Sequence, residues 1–213
     1  MFLPVILVTI ATTCSAHTIS VYGDVYTDTE FFSKTFPWLI DNIGGEITVD
    51  YFMLGSGRYT VPQMCALRKL RMNTYLQAQY LKCEADGNPS AYCLCETGIE
   101  PKTFKDCVAS GGALTKTAST KFTELGIEVT PIIELGPQNH VYGVDNIGYL
   151  KRICSIFRQN LPRGCIWPSE QIKSYTYRNA LAQFDRQCLK EFPIDYDENE
   201  TPVTTLPASF NTP

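Results

Sequence analysis

The run Thr18-Ile19-Ser20-Val21-Tyr22-Gly23-Asp24-Val25-Tyr26-Thr27-Asp28-Thr29-Glu30 opens the segment whose pattern decides the fold, and that segment continues to residue 54. Residues 18–22 read as a strand, residues 29–42 as a helix and residues 46–54 as a second strand. Strand, helix and strand in this order predict a parallel pair with a right-handed crossover, and hence an α/β fold. Folds of this type place their chemistry in the turn after the first strand, at the positive end of the helix. A thiol there would be activated by the helix end. The turn at residues 23–30 contains no cysteine.

Either Asp28 or Thr29 is suited to cap the helix. Phe32, Phe36, Leu39 and Ile43 recur at spacings of four, three and four, an apolar stripe that predicts packing on a sheet. Pro37 interrupts this stripe and predicts a kink, and Gly44-Gly45 predicts the end of the helix. In the second strand Ile47, Val49, Tyr51 and Met53 alternate with Thr48, Asp50, Phe52 and Leu54. Half of the second set is apolar too, which predicts a central strand covered on both faces.

Residues 55–126 predict a helical, cysteine-rich insertion between strands. Residues 62–83 predict one helix with Cys65, Met72, Leu76 and Cys83 on one face, broadened by Tyr80 and Leu81. Asp86-Gly87-Asn88-Pro89 is a turn cluster, followed by Cys93-Leu94-Cys95. Shorter helices are expected over residues 101–109 and 113–125, the last closed by Gly126. Residues 129–135 and 140–144 predict a strand pair turned at Pro137-Gln138-Asn139. Asn146 or Asp145 caps an expected helix over residues 147–157, with Leu150, Ile153, Cys154 and Phe157 inward.

The domain is expected to span residues 17–160. Residues 161–189 predict a helical extension, its main helix over residues 169–189 with Ile172, Tyr175, Leu181, Phe184 and Cys188 inward. Residues 190–213 are rich in Asp, Glu, Pro and Thr and predict a disordered tail. Asn199-Glu200-Thr201 is a glycosylation sequon weakened by Pro202, and Asn88-Pro89-Ser90 is excluded by its proline.

Residues 1–16 carry no charged side chain, have an apolar run and end in Thr13-Cys14-Ser15-Ala16. They predict a secretory signal peptide cleaved after Ala16, although the usual basic start is missing. No later run approaches the ~20 apolar residues needed to span a bilayer. No retention tetrapeptide closes the sequence. Of nine cysteines, eight remain after Cys14 is set aside: Cys65, Cys83, Cys93, Cys95, Cys107, Cys154, Cys165 and Cys188. An even number in an oxidising compartment predicts a disulfide framework, with roughly a hundred possible pairings. The position of Cys165 and Cys188 at the two ends of the extension suggests that they pair. A net charge of −4 gives no basic patch for nucleic acid, and two histidines, His17 and His140, leave zinc and histidine chemistry short of parts. No metal or cofactor is therefore assigned, and the oligomeric state is not readable from the sequence.

The order strand, helix, strand, helical insertion, strand, strand, helix resembles a thioredoxin-like fold with an inserted helical subdomain. Cys95-Glu96-Thr97-Gly98-Ile99-Glu100-Pro101, Phe104 and Cys107-Val108-Ala109-Ser110-Gly111-Gly112 resemble the middle of the gamma-interferon-inducible lysosomal thiol reductase family. So do Lys116-Thr117 ahead of Val129-Thr130-Pro131, and Leu150-Lys151-Arg152-Ile153-Cys154-Ser155-Ile156-Phe157. Val21-Tyr22 and Phe36-Pro37-Trp38 are similar to the family's first strand and kinked helix. The resemblance covers residues 18–157.

Two departures bear on function. The family's C-x-x-C pair falls opposite either Asp24-Val25-Tyr26-Thr27 or Thr27-Asp28-Thr29-Glu30, and neither window holds a cysteine. The family's C-Q-H-G signature falls on Arg58-Tyr59-Thr60-Val61-Pro62-Gln63-Met64, without its Cys or His.

The resemblance implies a cis peptide at Pro131, beside the first turn, where backbone groups could pair with an extended peptide. It also implies a protein of the secretory pathway, extracellular or in the lysosomal lumen. Thiol-disulfide exchange needs a thiolate to attack and a second thiol to resolve, so Asp24, Thr27 and Glu30 mark a degenerate site. The expected function is a catalytically degenerate family member that binds a polypeptide. The alternatives are an oxidoreductase working through Cys93 and Cys95, and a purely structural extracellular protein. Asp24, Asp28 and Glu30 are expected to serve the helix end, with acid–base or cation work as the alternative. His140 is expected to be a surface or strand-pairing residue.

Overall fold

The computed structural model describes residues 17–54, 60–127, 129–158 and 160–169. Residues 1–16, expected to be a leader, and residues 170–213, with most of the expected C-terminal helix, Cys188, the expected tail and Asn199, lie outside the described residues. Strand β1 (His17–Gly23) leads into a wide π turn (Phe31–Thr35) and helix α1 (Phe36–Ile43), and β2 (Ile47–Met53) follows. Five helices come next: α2 (Thr60–Lys69), α3 (Thr74–Ala85), α4 (Ser90–Glu96), α5 (Pro101–Ser110) and α6 (Gly112–Leu125). The sheet resumes with β3 (Ile132–Glu134) and β4 (His140–Val141), and α7 (Asn146–Cys154) and α8 (Arg163–Ile166) complete the described chain.

The protein is thus mixed α/β, with a four-stranded sheet ordered β2-β1-β3-β4. β1 and β2 are parallel with His17 opposite Ile47 and Gly23 opposite Met53, while β3 and β4 are antiparallel to their neighbours. The helical insertion lies between β2 and β3, as its helical periodicity implies. One expectation is overturned in part: among the described residues β2 is an edge strand and not a central one. Its apolar set, Ile47, Val49, Tyr51 and Met53, is buried, but Thr48 and Asp50 are exposed and Phe52 is half-buried. Phe52 stacks on Tyr22, ring centroids 4.9 Å apart, and with Leu54 it packs against Phe122, Ile127 and Ile132, so this end of the strand is covered on both faces as expected.

Between the sheet and α3, Phe32, Phe36, Leu39, Ile40 and Ile43 pack on Ile19, Val21, Val49 and Ile133, all buried. Complete burial of each such side chain contributes about 1.5–3 kcal/mol. On the other face a smaller cluster joins Tyr22, Phe122, Ile127 and Ile132. Gly126, at φ 58°, closes α6 in the left-handed conformation that favours glycine.

Pro37 stands in the first turn of α1, directly after the π turn. The turn ahead of it widens, and the Phe36 N–H donates to the Phe31 carbonyl, five residues back. Proline has no N–H and clashes with the carbonyl four residues earlier, and a π turn is one way to absorb that misfit.

The helix expected over residues 62–83 is two helices. α2 ends at Lys69, and Asn73 starts α3 by accepting from the N–H groups of Tyr75 and Leu76 at 3.1 Å each. Met72, expected inward, lies in the break and is 90% exposed. Cys93 and Cys95 stand on a helix of their own, α4. Buried Glu84 links α2, α3 and α4: it accepts from Gln63 Nε2 at 2.7 Å and from the hydroxyls of Tyr80 and Ser90 at 2.6 Å each.

Among the described residues, three disulfides join Cys65 to Cys107, Cys83 to Cys93 and Cys154 to Cys165. Cys95 is disulfide-bonded too. The expected Cys165–Cys188 bond is therefore corrected to Cys154–Cys165. It ties residues 160–169 to α7 and leaves them packed on α1. There the Trp38 indole donates to the Ser169 carbonyl at 2.6 Å, and the Ser169 N–H donates to Asn42 Oδ1 at 2.8 Å.

Candidate functional site

β1 delivers the chain into a tight turn. Its last residue, Gly23, cannot carry a side chain, because a Cβ there would stand 2.8 Å from the Phe32 ring and 3.1 Å from an Asp28 carboxylate oxygen. The Asp28 N–H donates to the Asp24 carbonyl at 2.8 Å, and the Phe32 N–H donates to the Asp28 carbonyl at 3.1 Å. Asp28 therefore stands at the start of the helix, and it is buried together with Asp24.

The Asp28 side chain does not cap the helix, contrary to expectation. One oxygen accepts from the Asp24 N–H at 2.8 Å, and the other accepts from the Thr130 hydroxyl at 3.1 Å. Asp24 in turn accepts from the Tyr26 N–H at 2.9 Å. Thr29 does not cap either, since its hydroxyl donates to the Tyr26 carbonyl at 3.0 Å. The alternative trio of carboxylates does not converge, because exposed Glu30 meets Lys34 on the outside of the helix at 3.4 Å. Thr27 is exposed as well.

Thr130–Pro131 is a cis peptide, and the Thr130–Asp28 bond sets it beside the turn. Burial pushes the Asp28 carboxyl above its usual range, and the Asp24 charge adds to this. The bonds from the Asp24 N–H and the Thr130 hydroxyl oppose it. Tyr149 on α7 stands near enough for the Asp28 charge to act on its hydroxyl. Burial raises its hydroxyl pKa, the Gly143 backbone opposes this, and the Asp28 charge adds to the rise. Near these residues in the chain, Tyr26 is 45%, Val129 58%, Tyr142 58% and Val144 41% exposed.

Sequence reasoning missed Thr130 and Tyr149. A threonine beside Pro131 was a signal for the first; the second carried none. Cys93 and Cys95 are buried, and Cys93 is joined to Cys83. His140 is half-buried opposite Glu134 on β3, and its Nε2 is buried without a partner. Glu134 is held by the Tyr22 hydroxyl at 2.8 Å. Among the described residues no group of three or more His, Cys, Asp or Glu side chains is disposed to hold a metal ion. Nor is any helix among them long and apolar enough to cross a membrane. No family model matches the chain, and a comparison with curated proteins finds no match.

Proposed function

We propose that this chain is a thioredoxin-like, catalytically degenerate relative of the gamma-interferon-inducible lysosomal thiol reductases. In this proposal it passes through the secretory pathway to the extracellular space or lysosomal lumen and binds a polypeptide. The strand order β2-β1-β3-β4, with only the first pair parallel and a helix after β1, supports the fold assignment. Three disulfides are compatible with an oxidising compartment.

The observation that carries the functional reading is the place of Asp28. It stands at the helix start and bonds Thr130, where an exchanging thiol would have to be. A carboxylate forms no mixed disulfide, so the position no longer supports exchange. Tyr26, Val129, Tyr142 and Val144 stay exposed on the segments next to the turn, Pro131 and α7, and exposed apolar side chains of this kind suit an extended polypeptide. No observation favours exchange through Cys93 and Cys95. They lie two apart on one helix, so they do not face each other, and each is already in a disulfide.

The test is a titration of the mature, isotope-labelled protein with a reduced, carboxymethylated unfolded polypeptide. Shifts centred on Tyr26, Val129, Tyr142 and Val144 are expected, with no reduction of a disulfide substrate. Reduction by the unmodified protein that disappears on Cys93→Ser or Cys95→Ser would overturn the proposal.

A further inference from the structure

The outer edge of β2 is open. β2 pairs with β1 through seven consecutive residues without a bulge, and among the described residues no strand lies on its other side. Among the described residues, its backbone makes no hydrogen bond on that outer side. Edge strands are normally blunted by proline, a bulge or charged side chains, lysine above all. Ile47-Thr48-Val49-Asp50-Tyr51-Phe52-Met53 has no proline, bulge or lysine and the single charge of Asp50, and most of its residues favour strands.

We propose that this edge is a second binding surface, which takes an extended polypeptide segment with a basic side chain by strand addition. It lies across β1 from Thr130 and the turn at residues 24–30, and does not depend on the function proposed for that turn. The charge follows from Asp50. It is exposed in the middle of the open face, and among the described residues it has neither an ion pair nor a hydrogen bond. A residue directly across from it on an added strand would sit within contact distance of its side chain, where a lysine or arginine is favourable and an acid is not. Thr48 and Phe52 flank Asp50 on the same face and accept small or apolar neighbours. A second copy is the less suitable occupant, because the fully overlapped antiparallel register sets Asp50 against its own counterpart. Backbone pairing supplies the affinity, and Asp50 supplies the choice of sequence.

The probe is a capped heptapeptide, Val-Thr-Val-Lys-Val-Thr-Val, added to the full mature protein. The readout is hydrogen exchange at the amides of residues 47–53. Slowed exchange there is expected, with binding weakened about three- to tenfold when the central Lys is replaced by Glu. Asp50→Lys should reverse that preference. N-methylating the alternate peptide amides that face β2 should abolish binding. Unchanged exchange at residues 47–53, or equal binding by both alternately N-methylated peptides, would overturn the proposal. So would protection that appears without peptide and grows with protein concentration, which would assign the edge to a second copy. Failure here and failure at the turn register at different residues, so the two proposals are tested separately.

Discussion

Gly164 lies against the backbone of Asn42 so closely that a Cβ on Gly164 would stand 2.1 Å from the Asn42 carbonyl oxygen. The obstacle is backbone, which cannot rotate aside. Gly164→Ala should therefore lift residues 160–169 from α1 and break the hydrogen bonds that join Ser169 to Trp38 and Asn42. The expected loss is about 1–3 kcal/mol, typical of overpacking. Urea unfolding followed by Trp38 fluorescence checks it, and an unchanged midpoint would count against this docking.

Asp28 and Thr130 make a second separable test. Asp28→Ala strands the Asp24 N–H and the Thr130 hydroxyl in a buried place, and a loss of about 1–3 kcal/mol is expected. Asp28→Asn keeps an acceptor for the N–H, and its amide can donate to the hydroxyl. It also removes a charge that burial disfavours, so at neutral pH it should be at least as stable as the parent. Because the folded carboxyl titrates above its usual range, the parent gains stability as pH falls through that raised pKa. The advantage of Asp28→Asn should shrink accordingly, as read from paired denaturation curves at neutral and mildly acidic pH.

Glu84 should give the same sign inside the helical insertion. Burial pushes its carboxyl above the ordinary value of 4.5, against the opposing bonds from Ser90, Tyr80 and Gln63. The cost of the buried charge is present in full above the folded pKa and is relieved as pH falls toward the ordinary one. Glu84→Gln abolishes that relief, and Gln63 can turn its amide to satisfy the new side chain. The difference in Tm, parent minus variant, should thus rise on acidification from neutral pH. A difference that is flat or falls would refute the assignment.

The disulfides should rank by the length of chain they close. Cys65–Cys107 spans 42 residues and Cys83–Cys93 spans 10. Loop entropy gives about 4 kcal/mol for the first and about 3 kcal/mol for the second. Replacing each pair by alanine and unfolding in urea measures both. A non-reducing digest should return a peptide pair joining Cys154 to Cys165.

The first strand, the helix after it and the insertion were legible because each has a clear period in the sequence. The break between α2 and α3 was signalled by Asn73, a good capping residue, but apolar Met72 beside it argued for continuity. β3 and β4 are shorter than expected, since Pro131 at one end and Gly136 and Gly143 beyond the other ends limit pairing. The edge position of β2 was hidden by Phe52, whose partner Tyr22 comes from another strand. In the candidate site the missing thiol was visible at once. The bond between Asp28 and Thr130 was not, because it closes over 102 residues of chain and no local pattern encodes it. Disulfide pairing was opaque for the same reason.

The π turn at Phe31–Thr35 holds one residue more than a regular turn would. Each residue of an α-helix advances the phase by about 100°, so deleting Ser33 or Lys34 would rotate everything upstream by that amount relative to α1. Phe31 and Phe32 would swing off the sheet, and Asp28 would leave Thr130. The helix therefore carries two frames, one set by Pro37 and one by the first turn, and the surplus residue reconciles them. A chain of otherwise identical composition but one residue shorter here would keep either its proline or its site in position, but not both.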